Sequence, residues 1–110
     1  MFDDMKVKDV VNLVNALQKK QTNEPELWSV GKNYFIRTVT MYVVGKLQVV
    51  NSNELLLTNA SWVADTGRFH NCLRDGVFNE VEPFVTDVIV NRTAIIDACE
   101  WIHELPTHQK

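Results

Sequence analysis

Two hydrophobic rhythms divide this chain, and they change over near Pro25. Before it, Val7, Val10, Val11, Val14 and Leu17 recur at i, i+3, i+4, i+7 and i+10, one continuous stripe on a helix. The spacing predicts an N-terminal helix over about residues 4–21. Asp3 and Asp4 stand near its start and Lys19 and Lys20 near its end, the arrangement a helix dipole favours. Pro25 cannot continue a helix and biases Glu24 away from one. An apolar stripe of this kind packs either on its own sheet or on a neighbouring subunit.

After Pro25 the rhythm becomes that of strands, rich in β-branched and aromatic residues. Tyr34–Tyr42 reads as a first strand with Phe35, Val39 and Met41 on one face. Val43–Val50 reads as a second, able to bend sharply at Gly45, where the missing Cβ allows close backbone approach. Asn51-Ser52-Asn53 supplies turn chemistry, and Glu54–Asp65 is a third strand with Leu55, Leu56 and Leu57 as a buried run. Asp65-Thr66-Gly67 is expected to cap a short helix. In it Phe69, Cys72 and Leu73 share a face, and Gly76 is a natural stop. Val77–Phe84 is a short strand whose Pro83 suits a sheet edge. Thr86-Asp87 turns into Val88–Trp101, a last strand or closely spaced pair. The tail Glu104–Lys110, with Pro106, reads as loose.

These elements predict a single domain over residues 1–110, mainly β with an N-terminal α-helix. Its 110 residues suffice for one modest core, and 45% hydrophobic with 23% charged residues is the mix of a folded globular protein. No apolar run approaches the roughly 18 residues of a membrane span, so no membrane partner is expected. The N-terminus is charged from Asp3, unlike a secretory signal, and Cys72 and Cys99 are too few for a disulfide framework. A reducing cytoplasmic setting is the expectation. Residues 1–64 carry seven Lys/Arg against six Asp/Glu, and residues 65–110 carry four against eight. A net charge of −3 argues against gripping nucleic acid through bulk charge, though a local basic patch is compatible with it.

The motifs carry a resemblance. Gly45-Lys46-Leu47-Gln48-Val49-Val50, a three-residue turn, and Glu54-Leu55-Leu56-Leu57-Thr58-Asn59-Ala60 together resemble the first motif of the Sm-like (LSm) superfamily. Val88-Ile89-Val90-Asn91-Arg92-Thr93-Ala94-Ile95-Ile96 resembles the second. The likeness spans roughly residues 5–64 and 80–101 and leaves about 65–79 as an inserted helical segment. It implies a strongly bent five-stranded antiparallel sheet, an SH3-like open barrel, closed into a homo-oligomeric ring by pairing of edge strands. Val88, Val90, Ala94 and Ile96 are the interface residues this implies, since they are apolar for the edges of a monomer. A monomeric barrel of the SH3 type uses the same strands and stays open as an alternative. Small acidic members of the superfamily further suggest a phage origin and a place in host cytoplasm or virion.

The same resemblance points to RNA or DNA through Asn51, Asn53 and Arg92, with Lys46 or Arg37 adding charge. The motif departs from the RNA-binding pattern, however: the first loop has no aspartate, Glu54 stands near the family's asparagine, and Arg92 lacks a following glycine. Catalytic chemistry finds little footing. His103 and His108 miss zinc-protease spacing by one residue, and Pro106 breaks the register that would align them. His70, Cys72 and Cys99 lack paired ligand spacing, so both cysteines read as small buried hydrophobes. Asp97 and Glu100, three apart on a strand, face opposite sides. Trp28, Trp62 and Trp101 read as core or interface aromatics, with base stacking as the exposed alternative. The expectation is a non-enzymatic ring without cofactor or metal, acting in structure or assembly, with nucleic-acid binding as the alternative.

Overall fold

The computed structural model describes residues 25–110, so the predicted N-terminal helix lies outside the described residues. Six strands make one antiparallel sheet: β1 (Asn33–Thr38), β2 (Tyr42–Val50), β3 (Glu54–Asp65), β4 (Glu80–Pro83), β5 (Val88–Asn91) and β6 (Ile95–Glu100). A helix, α1 (Phe69–Asp75), stands between β3 and β4, and a 3₁₀ turn, Arg92–Ala94, separates β5 from β6. The strand order is β4-β3-β2-β1-β6, with β5 also paired to β3.

Sheet curvature follows from two features. Gly45 lets β2 pass so close to β3 that an added Cβ would stand 2.9 Å from the Ala60 Cβ. Opposite it the register slips, with Val44 facing Ser61 while Lys46 faces Thr58, so Asn59-Ala60 forms a bulge. Asn59 takes the left-handed conformation (φ 49°), which asparagine tolerates better than most residues. β3 bends there and changes neighbour: Glu54–Leu57 pairs with β5 and Ser61–Asp65 with β4. The second feature is connection. β5 lies on β3 and β6 on β1, yet only the three residues of the 3₁₀ turn join them. Sheet ends joined so tightly must curl towards each other.

Alternating side chains then build two apolar layers. Tyr34, Ile36, Val43, Leu47, Leu55, Leu57, Ala60 and Val90 fill one face. Phe35, Val44 and Val63 on the other meet Cys72 of α1 with Phe78, Val81 and Trp101. α1 ends at Gly76 in the left-handed region (φ 73°), whose N–H donates to the Cys72 carbonyl at 2.8 Å. Asp65 Oδ1 accepts from the Gly67 N–H at 2.8 Å and makes the turn leading into α1, whereas the N-cap itself is Arg68.

Several expectations need correction. The sheet has six strands where the resemblance implied five, because the Arg92–Ala94 turn splits the last apolar run into a pair, the option its pattern left open. β1 stops at Thr38, not Tyr42. The Thr38 N–H and hydroxyl donate to the Met41 carbonyl at 2.8 and 2.9 Å, closing a tight turn. Val39 and Met41 are therefore exposed by 70% and 41% instead of lying on a strand face. The C-terminal segment is docked, not loose. Lys110 and Val81 exchange backbone hydrogen bonds of 2.9 and 3.0 Å, Leu105 packs on the second layer, and Trp101 Nε1 donates to the Glu104 carbonyl at 3.1 Å.

Candidate functional site

Apolar positions near the joint of β5 and β6 fall into two sets. Val90 is buried and Val88 half-buried against the first core layer, because β5 alternates and both point inward. They serve this chain's own core, contrary to their expected place on an exposed interface. Ala94 is half-buried in the 3₁₀ turn, and its carbonyl accepts from the Val39 N–H at 3.0 Å. Ile96 is the exposed member, at 61%. The register makes it the extra residue of a bulge, since Arg37 faces Asp97 while Thr38 faces Ile95. Sequence reasoning passed over Ile89, which is 66% exposed and points away from the core between Val88 and Val90. Period-two alternation would have found it, had the inward partners been known.

Backbone edges complete the picture. Among the described residues β5 pairs only with β3, and β6 only with β1, so each strand keeps one side without a partner. β6 is exposed along Ile96–Glu100, an unusual profile for a strand with this many apolar residues. Cys99 lies exposed on it, against the expectation of burial, whereas Cys72 is buried on the core-facing side of α1. Desolvation raises the thiol pKa at both cysteines. Among the described residues no group of three or more His, Cys, Asp or Glu side chains is placed to hold a metal ion.

The residues put forward for nucleic acid divide. Asn51, Asn53 and Arg92 meet at one corner, where the β2–β3 turn abuts the 3₁₀ turn. Asn51 Oδ1 accepts from the N–H groups of Asn53 and Glu54, both at 2.8 Å. Arg92 donates from its guanidinium to the Asn51 carbonyl at 2.6 Å and from its backbone to the Asn53 carbonyl at 2.9 Å. A second guanidinium nitrogen lies 3.9 Å from Glu26. Asn91 Oδ1 caps the 3₁₀ turn by accepting from the Thr93 N–H at 3.0 Å. Arg92 thus ties one turn to the other, with its guanidinium engaged by the Asn51 carbonyl and facing Glu26.

No family model, curated protein or solved structure matches this chain.

Lys46 and Arg37 are not part of that corner. Lys46 is exposed on β2, in register with Asn33 and Thr58. Arg37, on β1, grips the Asp97 carboxylate with two donors, Nε reaching Oδ1 at 2.7 Å. Those hydrogen bonds hold Asp97 below the usual carboxylate range and raise Arg37 further above its own. The guanidinium also lies 5.7 Å from the centre of the Phe69 ring, within cation–π range. Of the tryptophans, Trp101 is buried, Trp28 half-buried and Trp62 39% exposed. Trp62 joins Met41, Val39 and Ile96 around a cleft of about 420 Å³ at the β1–β2 turn. That cleft lies apart from the Asn51–Arg92 corner, so no single site gathers every candidate.

Proposed function

We propose that this chain is a non-enzymatic, Sm-like subunit that assembles with copies of itself into a ring, serving a structural or assembly role. One observation carries the reading: among the described residues two strand edges without a partner, β5 and β6, leave the same corner on opposite ends of a curled sheet. A strand edge left open invites another strand. Two different edges on one subunit pair head to tail, and a head-to-tail contact whose rotation closes gives a ring. Exposed Ile89 and Ile96 add apolar area beside those edges. The curl of the sheet, with its glycine-bent second strand and 3₁₀-linked last pair, supports the same reading. Light scattering of the full chain at micromolar concentration tests it. A mass of several subunits is expected, and a monomeric mass overturns the ring.

A nucleic-acid-binding ring is the second reading, favoured by Asn51, Asn53 and Arg92 meeting at one corner. Arg92 is already held by the Asn51 carbonyl and faces Glu26, which leaves less charge for a phosphate. Fluorescence anisotropy with uridine-rich RNA at low salt decides it. Binding that weakens as salt rises favours this second reading, and no binding removes it.

A further inference from the structure

Between α1 and β6 lies a cleft of about 260 Å³, lined by Phe35, Arg37, Asp97 and Cys99 from the strands and by Phe69 and Leu73 from the helix. Cys99 is the register partner of Phe35 across the β1–β6 ladder, and direct cross-strand partners put their side chains on one face. Arg37 and Asp97, two positions along, are partners on that same face, and the Arg37 guanidinium reaches the Phe69 ring of α1. Cys99 therefore faces α1. On the helix, Cys72 follows Phe69 by three residues and precedes Leu73, the two residues that form the helical wall of the cleft. Its side chain is buried in the second core layer together with Phe35. Phe35 thus shares a core layer with one cysteine and a ladder position with the other.

Both cysteines are free thiols. Desolvation raises both, and the charge of Cys99, once ionised, raises Cys72 further, a coupling that falls with distance. Thiols held in this way react slowly at neutral pH and faster as pH rises, because the thiolate is the nucleophile. α1 has only seven residues, and its N-cap makes no side-chain hydrogen bond, so a small shift of the helix towards β6 costs little. We propose that Cys72 and Cys99 form a reversible disulfide that clasps α1 to β6, made by exchange with a small-molecule disulfide such as oxidised glutathione. The exposed Cys99 thiolate attacks a sulfur of glutathione disulfide, forms a mixed disulfide and releases one glutathione thiolate. The Cys72 thiolate then attacks the Cys99 sulfur, closes the Cys72–Cys99 bond and expels the second glutathione. The two cysteines give up two protons and two electrons, and one glutathione disulfide becomes two glutathione thiols. The clasp lies within one subunit and is independent of ring assembly.

Incubation of the full chain with oxidised glutathione at about pH 8.5, near the ordinary cysteine pKa, tests the proposal. The product is read by mass spectrometry of the denatured, unreduced protein and by thermal unfolding. The expected product is a single chain lighter by two hydrogen atoms, carrying no glutathione, whose digest links the peptides of Cys72 and Cys99. Its melting temperature should rise by about 10 °C and return to the parent value with dithiothreitol. Cys99→Ser, at an exposed position that leaves the core intact, should show neither the mass change nor the rise. Four results overturn the proposal: a chain that stays reduced, a mixed disulfide that persists on Cys99, chains joined through Cys99 to Cys99, or a linked chain that melts no higher than its parent.

Discussion

Gly45 and Ala60 face each other across the bend so closely that a Cβ on Gly45 would sit 2.9 Å from the Ala60 Cβ and 3.1 Å from its Cα. Backbone stands behind the clash, so no flexible side chain can relieve it. Gly45→Ala is expected to lower stability by about 1–3 kcal/mol through overpacking. Ala60→Gly in the same chain should return part of the loss, a coupling that urea unfolding of the double-mutant cycle measures. Additive losses would show that the contact does not set the bend.

Trp101 joins the C-terminal segment to the second core layer. It stacks on Phe78 at 4.9 Å and is 3% exposed. Trp101→Ala is expected to cost about 3–5 kcal/mol. Limited proteolysis should then cut first between residues 102 and 110, since the segment loses its anchor. Cleavage rates unchanged from the parent would contradict the docked arrangement.

Ser61 is fully buried beside Val44 and Pro83 in the register, and its hydroxyl has no hydrogen-bond partner. A buried donor left unsatisfied carries a desolvation cost of about 1–3 kcal/mol. Ser61→Ala should therefore leave stability unchanged or raise it by up to about 1 kcal/mol, seen as a higher melting temperature. A clear loss of stability would mean that the hydroxyl finds a partner in solution.

Asp97 gives a pH dependence of definite sign. Arg37 depresses its folded pKa, so this pair stabilises the fold above the ordinary aspartate range near 3.9 and loses that contribution as pH falls through the lower folded value. Arg37 stays charged throughout. Asp97→Asn should narrow the difference in urea midpoint between pH 6 and pH 2.5. Because the pair is exposed to solvent, the narrowing should also shrink in high salt.

Ile89 and Ile96 are both exposed, so replacing either with lysine removes no core contact. Each substitution should shift the light-scattering mass towards the monomer while leaving the melting temperature of that monomer intact. Val90→Lys, by contrast, should unfold the chain, since Val90 is 7% exposed and belongs to the first core layer.

Much of the fold was legible from local pattern. Glu54–Asp65 was bounded as the structure bounds it, α1 was expected around Phe69, Cys72 and Leu73, and Gly76 stops it as its φ demands. Gly45 marks a bend by residue type alone, and the close approach of Ala60 is where the bend falls. Elsewhere the pattern misled. Thr38-Val39-Thr40-Met41 looks like strand by residue type, yet the Thr38 hydroxyl closes a turn there. The segment after Trp101, with its proline, looks loose, but Lys110 pairs with Val81 from far along the chain.

The candidate site shows the same division. Period-two alternation could say that Val88 and Val90 share a side, not which side faces inward. That depended on β5 meeting β3 at Leu55 and Leu57, two residues of the core. Nor could sequence say that Arg92 would be taken up by the Asn51 carbonyl 41 positions away.

By itself the sequence determined a mainly β chain, the bend at Gly45, the turn at Asn51 and the helical stop at Gly76, because these rest on properties of single residues and their nearest neighbours. The tertiary structure decided which strands keep an open edge, which apolar residues face solvent and which charges are already engaged. Those depend on pairing between distant segments, where register and curvature choose one partner among several that local pattern allows equally.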